Sequence, residues 1–122
     1  MGHIRSGRSA IGVVLGILCI SALLALQKAD ATSTSPCSPV IDPYPGTRYE
    51  GVNLSHIRAT GISCRIARHV ARHAHEKALG LPLPASGVRH FVWHDWTVTG
   101  DLRGPSDSYV AKLDTKQVRW RF

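Results

Sequence analysis

The sequence predicts an α+β fold, with one N-terminal strand and one amphipathic helix packed on a small antiparallel sheet that ends in a three-stranded C-terminal meander. Three observations lead to it. Residues 64–79 repeat apolar side chains at helical spacing, several later stretches alternate apolar and polar residues, and Gly- and Pro-bearing breaks separate them. A helix and a sheet that are each apolar on one side bury those sides by stacking, which lays the helix across one face of the sheet.

The first 31 residues stand apart from this fold. Arg5 and Arg8 form a positive lead, Ala10 to Leu26 is uncharged and apolar, and Ala29-Asp30-Ala31 supplies a small-x-small cleavage pattern. Residues 1–31 are therefore expected to be a signal peptide and the mature chain to start at Thr32. The alternative is an uncleaved membrane anchor, since the run lies at the lower edge of the roughly 17–25 residues a spanning helix needs. The cleavage pattern close behind it favours removal. Cys19 follows the bulky Leu18, which does not suit lipid attachment, and Arg5 and Arg8 are not adjacent, so no twin-arginine route is indicated. No apolar run long enough to span a bilayer follows, and the expected location is secreted.

The whole chain has 122 residues, with 15 Lys and Arg against 8 Asp and Glu. Without residues 1–31, twelve basic and seven acidic side chains remain, a formal charge of +5. That balance suits an anionic partner such as a cell-surface polymer, and it also keeps a secreted protein soluble. A chain of this size buries roughly 60–65% of its unfolded surface, so one small domain with a modest core is expected.

Residues 32–48 form a Pro-rich arm with Pro36, Pro39, Pro43 and Pro45, which rules out helix and discourages an interior strand. Cys19 leaves with the signal, and Cys37 and Cys64 are then the only cysteines, with one intramolecular pairing open to them in an oxidising compartment. Their disulfide would tie the arm to the start of the helix and contribute about 3–4 kcal/mol in the chain-entropy model.

Residues 49–122 make the single domain. Tyr49–Arg58 alternates at Val52, Leu54 and His56 and reads as a strand, broken by Ala59-Thr60-Gly61. Ser63 is an N-cap residue for a helix from Cys64 to Leu79. Ile66, Ala67, Val70, Ala71, Ala74 and Ala78 fall on one face and Arg65, Arg68, His69, Arg72 and Glu76 on the other, with Gly80 and Pro82 closing it. Val88–Val98 reads as one strand with a fault. Phe91 and Trp93 share one parity, Trp96 and Val98 the other, which requires a bulge or kink at His94-Asp95. Thr99–Ser108 is a turn-rich connection. Tyr109–Leu113 and Val118–Phe122 are short strands joined by Asp114-Thr115-Lys116-Gln117.

The succession Val52-Asn53-Leu54, Ala59-Thr60-Gly61-Ile62-Ser63-Cys64, Ala67-Arg68 and Val70-Ala71, followed by a Trp-bearing strand and a basic, aromatic final strand, resembles a group of small exported actinobacterial proteins. They share a G-[IVT]-S-C-x-x-A-R helix start and a C-terminal hairpin. The resemblance spans about residues 37–122 and implies an extracellular disulfide-bonded module, with no reaction attached. In that group the hairpin often carries a second cysteine pair. Its counterparts here are Thr97 or Val98 and Ala111, so that cross-link is missing.

Three constellations could carry chemistry. His69 and His73 share a helix face at i,i+4, with His75 nearby, a spacing that can place two imidazoles on zinc. No third ligand accompanies them, so these read as solvated surface histidines and no metal is assigned. His90, His94 and Asp95 could orient a general base, yet no nucleophile motif goes with them. Lys112, Arg119 and Arg121 are the candidate binding surface, with Trp120 turned to the opposite, core side of its strand.

Taken together, the chain reads as an exported, non-enzymatic binding or interaction module without cofactor, acting on an anionic cell-surface polymer or a protein partner. An inhibitor or toxin would look the same. Nucleic acid is disfavoured, since the basic residues do not cluster and no Gly-rich phosphate loop is present. The alternative is a small secreted hydrolase or metal-dependent enzyme built on His90, His94 and Asp95 or on His69 and His73, which requires the histidines to converge.

Overall fold

The structure is a computed structural model that describes residues 33–122 and Gly2; the expected signal peptide over residues 1–31 and the Thr32 start lie outside the described residues. The elements are β1 (Thr34–Pro36), β2 (Ser55–Thr60), α1 (Cys64–Leu79), β3 (Val88–Trp93), β4 (Trp96–Asp101), β5 (Ser108–Leu113) and β6 (Lys116–Arg121). The six strands form one antiparallel sheet in the order β1-β2-β6-β5-β4-β3. This corrects the expected architecture. The C-terminal part is a four-stranded meander, and two strands, not one, precede the helix.

Each difference has a local cause. The faulted strand over Val88–Val98 is a hairpin, in which Trp93 pairs with Trp96 and His94-Asp95 is the whole turn. Both turn residues take positive φ, 42° and 66°, the backbone of a two-residue type I′ turn whose twist matches the strands it joins. The change of parity that implied a kink is the chain reversing direction. Thr99–Asp101 then belongs to β4, leaving Leu102–Asp107 as the connection to β5. The last turn is also tighter than expected. Leu113 pairs with Lys116, so Asp114-Thr115 alone makes it.

In the N-terminal half, the alternation expected from Tyr49 begins later and switches face. Leu54 is buried, Val52 and His56 are exposed, and Ile57 and Ala59 are buried. The switch is a bulge. Ser55 pairs with Arg121 and Arg58 with Arg119, so His56 and Ile57 together oppose Trp120, with His56 at φ 51°. The arm contributes β1, which pairs only with β2 and places Pro36 on the sheet edge, where a missing N–H costs no ladder bond. Cys37 and Cys64 are bonded, and Tyr44 is buried with its hydroxyl donating to the Arg72 carbonyl oxygen at 2.9 Å, so the arm is fastened to the start and to the middle of the helix.

The helix covers one face of the sheet. Ser63 caps it, its hydroxyl accepting from the Ile66 N–H at 3.3 Å. Ala67, Val70, Ala71, Ala74 and Ala78 are buried against Ile57, Ala59, Val98, Ala111, Val118 and Trp120; the small helix residues let the axis lie close over large sheet residues. Ile66, assigned by periodicity to this apolar face, is 47% exposed. Val98 and Ala111, where the resemblance would place a second cysteine pair, are directly opposed and fully buried. Gly100 faces Tyr109, whose Cε1 lies 2.5 Å from where a Cβ would stand, so only glycine admits the ring there.

His75 is the unexpected member of the core. Grouped by sequence with the surface histidines, it is fully buried. Its Nδ1 accepts from the Trp120 Nε1–H at 3.1 Å, and its ring packs on Phe122, Tyr109 and Tyr44, with centroids 4.1, 4.8 and 5.9 Å away. Burial, with a smaller contribution from the Arg89 charge, pushes its pKa down to about 3 and holds it neutral.

Candidate functional site

The helix leaves the other face of the sheet uncovered, and the register decides what stands there. One row crosses all six strands through Pro36, Arg58, Arg119, Val110, Thr99 and His90. Beside it run Thr34, Thr60, Gln117, Lys112, Thr97 and Val92 on one flank, and Ser55, Arg121, Ser108, Asp101 and Val88 on the other. The period-2 alternation that buries Val118 and Trp120 thus turns Arg119 and Arg121 outward, next to Arg58 on β2.

The candidate residues Lys112, Arg119 and Arg121 all lie on this face and are exposed. A depression of about 270 Å³ gathers His56, Arg58, Arg119 and Arg121, and an adjoining one of about 270 Å³ gathers Thr97, Thr99, Lys112 and Arg119. Sequence reasoning missed Arg58 and His56. Arg58 sits directly opposite Arg119, a like-charge pair that weakens the sheet unless an anion lies between them. The single acidic side chain in the three rows, Asp101, is held by Arg103 through Nε at 3.0 Å and Nη2 at 3.1 Å, which lowers its pKa to about 2. Among the described residues, no carboxylate lies within ion-pair distance of Arg58, Lys112, Arg119 or Arg121.

The histidines are divided between the two sides of the sheet. His69 and His73 meet on the exposed face of α1 with ring centroids 4.3 Å apart; the His73 ring lies parallel to Trp93 at 6.2 Å, and His94 leans on the same indole at 4.6 Å. Partial burial, then the charges of His73, Arg72 and His94, lower the His69 pKa. His90 stands on the open face, with Nδ1 3.3 Å from the Thr99 hydroxyl, and His75 is in the core. The convergence that the hydrolase alternative requires does not occur between His90 and His94. Among the described residues, no three His, Cys, Asp or Glu side chains form a metal-binding group.

No protein-family model, curated protein or solved structure matches this chain.

Proposed function

We propose that this is an exported, disulfide-bonded binding module that holds an anionic cell-surface polymer on the open face of its sheet. The observation that carries the reading is the Arg58–Arg119 pair, two like charges set opposite one another on an uncovered face with no carboxylate to offset them. A repeating anion placed along β2, β6 and β5 would meet Arg58, Arg119, Arg121 and Lys112 in turn. Over β2, β6 and β5 the face offers charge spaced by threonine, serine and glutamine, with Val110 the one apolar residue of its rows there, which suits a hydrated polymer better than a buried protein interface. Export is supported by the signal-like residues 1–31 and by the Cys37–Cys64 bond, which persists in oxidising compartments. Among the described residues, no helix is long and apolar enough to cross a membrane.

Two measurements test this. Intact mass of the protein recovered from culture medium should correspond to a chain starting at Thr32; full-length protein confined to membranes would replace export by anchoring. Binding to long-chain polyphosphate and to a carboxylated polysaccharide should weaken steeply with added salt. It should drop at least about tenfold when Arg58, Arg119 and Arg121 are all changed to Ser, each lost contact being a charge-assisted one. Unchanged affinity in that variant would overturn the assignment of the face.

A further inference from the structure

A second site lies on the helix-covered side of the sheet, away from the cationic face. Beyond the C-terminal end of α1, a cleft of about 430 Å³ opens between the helix, the segment leading into β3, and the connection after β4. Leu79, Leu81, Leu102, Tyr109 and Phe122 give it apolar walls. Leu83 stands at its mouth 82% exposed, the most exposed large apolar side chain among the described residues.

The polar part of the cleft is Arg89, which is only 6% exposed. Its Nη1 donates to the Ala78 carbonyl oxygen and its Nη2 to that of Pro82 at 3.3 Å. Its Nε is buried without a partner, and no carboxylate lies within ion-pair distance of the guanidinium among the described residues. A buried cation is costly unless an anion and full hydrogen bonding offset its lost hydration. Arg89 has the hydrogen bonds in part, and the one carboxylate that feels its charge, Asp107, stands outside ion-pair distance. Arg48 lines the same cleft, and Asp107 is its one acidic residue, so the charge balance favours an anion.

We propose that this cleft binds an anionic amphiphile, with its head group on Arg89 and Arg48 and its hydrocarbon chain along Leu79, Leu81, Leu83 and Phe122. The volume lies within the range of about 300–1,000 Å³ typical of small-ligand pockets, and the lining follows their usual pattern of apolar walls with a few convergent polar groups. The head group can be a carboxylate or a phosphate monoester, since both accept from a guanidinium. The site is independent of the polymer-binding face.

The test is an NMR titration of the protein with dodecanoate and, separately, dodecyl phosphate, both below their micelle-forming concentrations. Saturable shifts are expected at the amides of Leu79, Leu102 and Phe122 and at the Arg89 Nε–H, and the tighter of the two probes identifies the head group. Dodecanol and dodecyltrimethylammonium should bind at least about tenfold more weakly, because only an anion complements the buried guanidinium. Leu83→Glu, at an exposed position that leaves the fold intact, should lower dodecanoate affinity by a similar factor through charge at the mouth. Absence of saturable shifts, equal binding of the cationic probe, or unchanged affinity in Leu83→Glu would each overturn the proposal. Arg89→Met, which removes the guanidinium, should lower dodecanoate affinity at least about tenfold, and unchanged affinity in the folded variant would also overturn the proposal; if that variant fails to fold, Leu83→Glu still decides it.

Discussion

Acid should unfold this protein through His75. The unfolded chain takes a proton on this imidazole below its ordinary pKa of 6.5, whereas the folded protein resists until pH nears 3. The unfolded state therefore binds more protons across that window, and stability falls as pH falls through it, by at most ~1.4 kcal/mol per pH unit. Between pH 7 and pH 5 the loss is about 2 kcal/mol, a sizeable part of the ~5–13 kcal/mol expected for a domain of this length. The structural reason is direct. A protonated Nδ1 cannot accept from the Trp120 Nε1–H, and the cation would sit among Tyr44, Tyr109 and Phe122. Other groups shift too. The lowered His69 pKa acts in the same sense, the raised Asp107 pKa acts in the opposite one, and the effect of Asp101 begins only below 3.8. His75→Gln separates them, since its amide oxygen can accept from Trp120 and does not titrate. Urea denaturation at pH 7 and pH 5 should show a pH-dependent loss about 2 kcal/mol smaller in His75→Gln than in the wild type. Parallel pH dependence in the two proteins would refute the reasoning.

Trp120→Ala should destabilise by about 3–5 kcal/mol in thermal or urea denaturation, because it empties a fully buried site stacked on Tyr109 and strips His75 of its donor. Arg119→Thr on the opposite face should be neutral or stabilising by a few tenths of a kcal/mol at low salt, as it removes the like charge opposite Arg58. Cys64→Ser should cost about 2–4 kcal/mol and raise amide exchange over residues 34–44, which the bond ties to the helix start; exchange unchanged there would contradict that role. Replacing His94-Asp95 by Asn-Gly should raise stability by up to ~1 kcal/mol, because both positions hold positive φ; a loss of stability would contradict the type I′ turn.

Much of the fold could be read from the chain where a single period dominates. The apolar repeat over residues 64–79 coincides with α1, and Val118, Trp120 and the two arginines of β6 alternate as the pattern requires. What escaped was chain reversal and register. His94-Asp95 lacks the glycine that normally announces a type I′ turn, so a hairpin looked like a faulted strand. The bulge at His56 has no residue-level signature in an otherwise alternating stretch, and it moved Ile57 into the core. Pro36 argued against strand, yet an edge strand tolerates it. His75 could have been found. It follows Ala71 by four residues on the apolar stripe, but a histidine there was grouped by type with its exposed neighbours instead of by angle.

The site was half legible for the same reason. Alternation within β6 pointed Arg119 and Arg121 outward, and Lys112 followed on the adjoining strand. Arg58 was out of reach because its place opposite Arg119 depends on β2 joining β6, a long-range pairing that no local pattern announces. The charge that makes this face distinctive comes from strands far apart in sequence.

The open face is tested most directly by mapping, with backbone amide shifts, where long-chain polyphosphate contacts the folded protein. Salt-sensitive shifts should concentrate at Arg58, Lys112, Arg119 and Arg121, with residues 64–79 of the helix undisturbed. Shifts centred on the helix, or binding that persists unchanged at high salt, would contradict the assignment of the face.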